Sequence, residues 1–455
     1  MKKDCFAVVL AAGEGKRMNS ALPKVIHQVA GKALAEWTVD AASRATGMAP
    51  VLVVGNGSEK VREYFGNRVR YAVQTKQLGT GHAVMAARDY IKGNGYVLIV
   101  AGDMPLIRAE TLSKVAENAI NSKLGVCLLT AAVADPSGYG RIVREKDGGL
   151  RIVEQKDATD QELKINEINL SVYCFNIPLL LEALDNVSDD NAQGEYYLTD
   201  CVEYIVSHGH RAETVFCDDA SECLGVNDRA QMAAAAEVLR QRINSTLMLG
   251  GVTIIDPKNT YIDATVRIGQ DAVVYPGVVI EGHTVIGKDT VLYPGSRIVN
   301  STIGNGTMVQ NSVIIESSIG DNSTIGPYAY LRPGSNIGNG CRVGDFVEVK
   351  NSLIKDGAKV SHLSYIGDGE IGEKSNIGCG VVFVNYDGIK KSKTTVGNNV
   401  FVGCNANLVA PITIEDGAYI AAGSTVTKNV EKDALCIARS RQTVIEGWSK
   451  RRRGE

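Results

Sequence analysis

Residues 261–299 read YIDATVRIGQDAVVYPGVVIEGHTVIGKDTVLYPGSRIV, and an aliphatic side chain returns at every sixth position: Ile262, Ile268, Val274, Ile280, Ile286, Leu292 and Ile298. Gly or Asp often follows it, as in Ile268-Gly269, Ile286-Gly287 and Ile303-Gly304. After slips of one residue the same beat carries Ile319, Ile325, Leu331, Ile337, Val343 and Val349. It returns in Val396, Val402, Leu408, Ile414, Ile420 and Val426. A six-residue period marks a parallel β-helix, with the aliphatic residue pointing inward from each flat side and small or polar residues turning the corner.

Working outward, residues 251–433 supply roughly ten coils at about eighteen residues per coil, each adding about 4.8 Å. In the known hexapeptide solenoids, which this stretch resembles, the coil is triangular and left-handed, an exception to the usual crossover hand. The beat breaks at residues 385–393, NYDGIKKSK. A polar, basic insertion of this kind maps to a loop on one face, where such loops often bind. Upstream, residues 228–249 lack Gly and Pro and are rich in Ala, Leu, Met, Gln, Arg and Glu. They predict one long helix, ended by Gly250-Gly251. The expected organisation is therefore a first domain over 1–229, a linker helix over 230–250, and a β-helix with its tail over 251–455.

The first domain reads as α/β. Residues 5–10, 51–54, 96–100 and 126–130 are short, continuous apolar runs, with amphipathic segments at 33–45 and 81–91 between them. That pattern predicts a mostly parallel, Rossmann-like sheet covered on both faces, with ligands at the carboxyl ends of its strands.

With 455 residues, 44% hydrophobic and 22% charged, the chain is ordinary globular material. A net charge of −3 gives no general pull towards nucleic acid or anionic membrane. Ten cysteines without a CxxC pair suit a reducing, cytoplasmic setting. The two N-terminal lysines and short apolar run read as a first strand rather than a signal peptide. No apolar stretch approaches a membrane span.

Directly after the first strand comes Leu10-Ala11-Ala12-Gly13-Glu14-Gly15-Lys16-Arg17-Met18, with Pro23-Lys24 beyond. Glycines between a strand and a helix let backbone N–H groups approach phosphates, and Lys16, Arg17 and Lys24 add charge suited to a triphosphate. The spacing is neither the dinucleotide fingerprint nor a Walker A loop. Asp103 closes the apolar run at 96–100 on the ligand-binding face. A carboxylate beside a triphosphate suits Mg²⁺, with Asn227 as a second oxygen donor.

L-x-x-G-x-G-x-R-M with downstream P-K resembles the signature of sugar-1-phosphate nucleotidylyltransferases. The match runs on through Gly31-Lys32, Gln74, Gln77-Leu78-Gly79-Thr80-Gly81, Ala101-Gly102-Asp103, Gly138-Tyr139-Gly140-Arg141, Glu154, Asn169 and Gly225-Val226-Asn227. With the hexads, the insertion and Arg439, nearly the whole chain resembles the family of bifunctional UDP-N-acetylglucosamine pyrophosphorylases and glucosamine-1-phosphate N-acetyltransferases. The resemblance implies acetyl transfer from acetyl-coenzyme A to glucosamine-1-phosphate, then uridylyl transfer from UTP with release of pyrophosphate, feeding peptidoglycan and other envelope polysaccharides. It implies that Leu10, Ala11, Ala12, Gly13, Gln74, Gly79 and Thr80 hold the nucleoside of UTP. Lys24 and Arg17 would neutralise phosphates, and Gly140, Glu154, Asn169 and Asn227 would hold the sugar.

For acetyl transfer an amine must first lose a proton, work that suits histidine near neutral pH. The resemblance assigns His362 as that base. It gives glucosamine-1-phosphate to Arg332, Lys350, Tyr365 and Asn376, and acetyl-coenzyme A to Cys379, Asn385, Tyr386, Cys404, Ala422 and Arg439. Arg332 and Lys350 lie one coil apart and should stack, as two cations around an anion. His283 reads as a solvated turn residue. Cys379 and Cys404 depart from the family's commoner Ala and Ser, Ala33 from Pro, and Ala101 from Tyr; none removes a proposed ligand. The resemblance also implies a homotrimer through the β-helix. A single-activity nucleotidylyltransferase with a regulatory β-helix would lack the base, the insertion and Arg439. A non-catalytic subunit would lack Lys24 or Asp103.

Overall fold

The computed structural model describes residues 5–55, 58–145 and 149–455. Two compact units, Met1–Leu239 and Arg240–Glu455, divide the chain.

In the first unit nine strands form one sheet: β1 (Cys5–Ala11), β2 (Val51–Gly55), β3 (Arg70–Gln74), β4 (Tyr96–Ala101), β5 (Val126–Ala132), β6 (Arg141–Arg144), β7 (Leu150–Val153), β8 (Glu167–Asn176) and β9 (Ala212–Phe216). The order is β9-β5-β8-β4-β1-β2-β3, with β6 pairing β8 and β7. Helices α1 (Leu34–Thr46), α2 (Glu59–Phe65), α3 (Thr80–Ala86), α4 (Ala109–Asn121), α5 (Ile177–Leu184) and α6 (Leu198–Ser207) connect them. Val51–Val54 and Val97–Val100 are wholly buried, as strands covered on both faces must be. Apolar clusters accordingly lie on either side of the sheet.

The parallel expectation holds for β1, β2, β3, β4, β5 and β9 and fails at β8, which runs antiparallel between β4 and β5. Its register shifts between Asn169 and Tyr173, where Ser171 takes φ +54°. That bulge bends the strand beside the ligand-binding face.

The predicted long helix is α7 (Arg229–Leu249). Asp228 Oδ1 accepts from Gln231 N at 2.8 Å and caps its start. Gly251, at φ +95°, ends it, its N–H bonding back to the Met248 carbonyl while those of Gly250 and Val252 bond back to Leu247. The helix is no free arm. Ala235 and Leu239 are buried with Val29, Leu34, Leu106 and Val226 in the first unit. In the second, Asn244 donates to the carbonyls of Pro257 and Thr260. The division into two compact units falls inside the helix, between Leu239 and Arg240.

The second unit is the parallel β-helix, three sheets of eleven, ten and nine short strands. The hexad aliphatics fill its interior. Val274, Ile280, Leu292, Ile298, Ile325, Leu331, Val343 and Val349 are all wholly buried. At about 1.5–3 kcal/mol each, these side chains are the main stabilisation of a fold with no other core. Buried hydroxyls satisfy corner carbonyls, as Ser296 to Tyr293 and Ser335 to Arg332. Steps of eighteen, such as Ile280 to Ile298, alternate with shorter ones, such as Ile286 to Ile303. The insertion lengthens one coil, so that Ile377 pairs with Val402.

Candidate active sites

At the carboxyl end of β1, Gly15 turns the chain at φ +63°. A Cβ there would lie 2.6 Å from the Cβ of Lys24, so only glycine lets that lysine pass beneath the loop. Lys24, 9% exposed, sets its ammonium 2.6 Å from Asp103 Oδ2 and 3.3 Å from Asn227 Oδ1. Val226 N donates to the Asp103 carbonyl at 2.9 Å, which ties the Asn227 loop to the end of β4. Two oxygens from segments far apart in sequence therefore face one cationic point. Such a hard-oxygen pair fits a divalent metal that completes its shell with phosphate and water.

A cavity of about 380 Å³ opens here. Leu10, Ala11, Ala12 and Gly13 form one wall, and Gln74, Gly79 and Thr80 another. Lys24, Asp103 and Glu154 line it too. Gly79, at φ +100°, is pinned against Tyr196, whose carbonyl would lie 2.5 Å from an added Cβ. Arg17, Asn169 and Asn227 line an adjoining cavity of about 270 Å³ that shares Asp103 and Ser171 with the first. Gly140 faces neither cavity, but its carbonyl accepts from Asn169 N at 2.9 Å and its Cα hydrogen faces the Glu154 carboxylate. Burial, helped by the charges of Asp157 and Glu195, pushes the Glu154 carboxyl up, against a hydrogen bond from Thr199. Asn169 Nδ2 donates to Tyr173 Oη at 2.6 Å.

Sequence reasoning did not assign Ser171, Tyr173, Glu195 or Thr199, which also line the larger cavity. They sit on the antiparallel strand and on the loop and helix beyond it, where no glycine motif announces a site.

On the β-helix, register explains the second constellation. Asp345 pairs with His362, and the neighbouring pairs Lys359–Asn376, Asn376–Phe401 and Phe401–Tyr419 carry the same column on through Cys379, Cys404 and Ala422. One corner thus stacks Asp345, His362, Cys379, Cys404 and Ala422, and Arg439 Cδ approaches Gly423 beside it. His362 Nδ1 lies 2.6 Å from Asp345 Oδ1. The His362 side chain is 58% exposed. A carboxylate only accepts, so Nδ1 carries a hydrogen, and in the neutral ring Nε2 is the nitrogen with the lone pair. The same bond holds the Asp345 carboxyl below its usual range. Asp345 was not foreseen; its signal was its distance from His362, close to one coil.

Around that corner, Arg332 and Lys350 stack as expected, in register through the pair Leu331–Val349. Arg332 also bonds Glu348 at 2.8 Å. The insertion brings Lys391 beside Lys350, whose charge lowers the Lys391 pKa. Asn385, 7% exposed, donates to Asp368 at 2.6 Å. A Cβ at Gly367 would meet both Tyr365 Oη and Asn385 Nδ2, so that glycine lets Tyr365 and the insertion close up. Tyr386 is exposed on the insertion, its hydroxyl bonded to the Gly388 carbonyl. Asn376 stands apart, on the flat side of Lys359 and Phe401 rather than that of Tyr365. His283 lies exposed in its turn.

Among the described residues no helix is long and apolar enough to cross a membrane. The MobA-like NTP transferase domain matches residues 7–146, the GMPPB C-terminal domain residues 257–335, and the six-repeat bacterial transferase hexapeptide residues 393–428. The chain is 52% identical over 449 residues to Bifunctional protein GlmU of Clostridium perfringens, covering 98% of this chain and 99% of that one. It is 51% identical over 445 residues to that of Acetivibrio thermocellus (97% and 96%), and 50% identical over 445 residues to that of Clostridium botulinum strain 657 (97% of each). The alignments take in both units from end to end, so the chain belongs to the bifunctional GlmU family, the metal-using two-domain enzymes of UDP-N-acetylglucosamine synthesis that join a nucleotidyltransferase to a hexapeptide acetyltransferase.

Proposed function

We propose that the first unit's cavity takes UTP and N-acetylglucosamine-1-phosphate, and that the β-helix corner takes acetyl-coenzyme A and glucosamine-1-phosphate. The single observation that carries the reading is the convergence of Lys24, Asp103 and Asn227 at the mouth of the glycine loop, in a chain whose other unit aligns a histidine–carboxylate pair with its cysteine column.

In the cavity, Leu10–Gly13, Gln74, Gly79 and Thr80 hold base and ribose, while Gly140, Glu154, Asn169 and Asn227 hold the sugar. Lys24 and Arg17 draw charge off the phosphates as the sugar phosphate attacks the α-phosphorus of UTP in line and pyrophosphate leaves. Asp103 and Asn227 would hold Mg²⁺, which when bound would supply further charge neutralisation.

On the corner, Arg332 and Lys350 bind the phosphate of glucosamine-1-phosphate, with Tyr365 and Asn376 on the sugar. His362 Nε2 takes a proton from the amine, and the nitrogen attacks the thioester carbonyl. The C–S bond breaks and coenzyme A leaves as its thiol, its sulfur taking the proton that His362 removed from the amine. Cys379, Asn385, Tyr386, Cys404, Ala422 and Arg439 line the coenzyme's path. A base 58% exposed calls for a further wall, which favours a homotrimer with coenzyme A between neighbouring prisms. A cytoplasmic location goes with these substrates and with nine described cysteines that are all free.

A coupled assay with glucosamine-1-phosphate, acetyl-coenzyme A, UTP and Mg²⁺, omitting each in turn, tests the reading. The expected result is UDP-N-acetylglucosamine only with all four present. N-Acetylglucosamine-1-phosphate should rescue omission of the first two. Product formed with any one component omitted and no such rescue, or no product with all four present, would refute it.

A further inference from the structure

Gln74 ends β3 with its side chain almost fully buried against the larger cavity, and its carboxamide is held by two contacts. Nε2 lies 3.1 Å from the Gly79 carbonyl and 3.1 Å from Nδ1 of His82, in the first turn of α3. A backbone carbonyl can only accept, so the amide nitrogen must face it; the reversed amide would set oxygen against oxygen. The nitrogen has two hydrogens. Gly79 takes one, and His82, as the neutral tautomer with its hydrogen on Nε2, takes the other. Nothing on Gln74 is left to donate. No described residue donates to its Oε1, and the residue lines the cavity.

We infer that His82 is a positioning residue that makes Gln74 a pure hydrogen-bond acceptor and thereby sets base selection, favouring a pyrimidine with an imide N–H over one with a bare ring nitrogen. Uracil offers N3–H to such an acceptor. Cytosine offers a lone pair at the same place, so its binding leaves two acceptors face to face. An unanchored glutamine amide serves either base by turning over. Here turning over breaks two hydrogen bonds at once, and His82 supplies the second. The segment is held besides by Gly81 N to the Tyr196 carbonyl and Tyr196 N to that of Leu78, which anchor the turn on either side of Gly79 and the start of the helix that carries His82. His82 does not itself line the cavity; it acts through Gln74.

The inference rests on the proposed reading of this cavity as a nucleotide site. The test is kcat/KM of the full chain with UTP and with CTP, using N-acetylglucosamine-1-phosphate and Mg²⁺, for the wild type, His82→Phe, His82→Ala and His82→Asn. Removing the acceptor in the first two variants should lower the UTP/CTP ratio about tenfold, the weight of one hydrogen bond, with kcat at saturating UTP held within about threefold. His82→Asn, whose amide oxygen can replace Nδ1, should keep the ratio within about threefold of wild type. An unchanged ratio in whichever of the Phe and Ala variants still turns over UTP would overturn the inference. So would a ratio that falls equally in His82→Asn. A wild type inactive with UTP would instead refute the nucleotide reading itself.

Discussion

The two units build their sites in opposite ways. In the first, a cavity gathers residues from across the chain; Lys24 and Asn227, 203 positions apart, share one contact. In the second, the key column is open and nearly arithmetic, each member following the last by one coil. A site made by sheet topology is walled by its own chain. A site made by a solenoid corner repeats along an edge and stays exposed, so it depends on whatever covers that edge. The first should therefore be sensitive to single backbone clashes, and the second to the orientation of one ring.

The comparison breaks most sharply if the two chemistries are not separable. Asp103→Ala should cut uridylyl transfer by about 10³-fold or more, since several kcal/mol of charge stabilisation goes with the carboxylate, and leave acetyl transfer near wild type. His362→Ala should do the reverse, by about 10²–10⁴-fold, the range for a positioned base. Separate assays of each half-reaction on both variants check this. A loss of both reactions in either folded variant would end the two-site account.

Next in size, Asp345→Asn should lower acetyl-transfer kcat by about 10²-fold with little change in KM. An asparagine amide can donate to His362 Nδ1, which places the ring's hydrogen on Nε2 and removes the lone pair from the working side. An unchanged kcat would show that the ring needs no orienting partner.

How much of this was legible in the sequence follows the same division. The hexads announced the β-helix, because each coil obeys the same local rule and Ile280 needs only its neighbours at Ile262 and Ile298. Arg332 over Lys350 could be counted out in advance. Asn376 could not be placed, because slips of one residue and the insertion decide which flat side a residue faces. In the first unit the glycine loop was readable, since Gly15 and Lys24 are close in sequence and one forces the other. The antiparallel β8 was not. Glu167–Asn176 carries no period that separates it from a parallel strand, and its direction is set by pairing with β4 and β5. Ser171 and Tyr173, which ride on it, stayed hidden with it.

Gly15→Ala probes the first unit's site with a smaller expected effect. The added methyl would meet Lys24 Cβ at 2.6 Å at a φ of +63°. The lysine must shift, and uridylyl-transfer kcat/KM should fall by about tenfold to a hundredfold, as displacement by about 1 Å does. Acetyl-transfer kinetics measured on the same preparation should not move. A variant with normal uridylyl kinetics would show that the loop tolerates displacement the cavity geometry forbids.

The smallest effect concerns Asp200, in the first turn of α6. Burial, joined by the charges of Glu203, Glu154 and Asp157, raises its carboxyl from 3.8 to about 6, against the preference of a helix N-terminus for negative charge. The folded state thus holds a proton that the unfolded state has already released, so this group's contribution to stability falls as pH rises from about 4 to about 6 and is gone above that. Asp200→Asn mimics the protonated form. It should raise the unfolding temperature of the first unit at pH 7.5 by about 1–2 °C, a modest shift because the group is partly exposed and solvent screens it, and change nothing at pH 4, where aspartate is itself largely neutral. Thermal denaturation at the two pH values decides it: a gain equal at both would come from helix propensity, and no gain at pH 7.5 would mean that the acidic cluster costs the fold nothing.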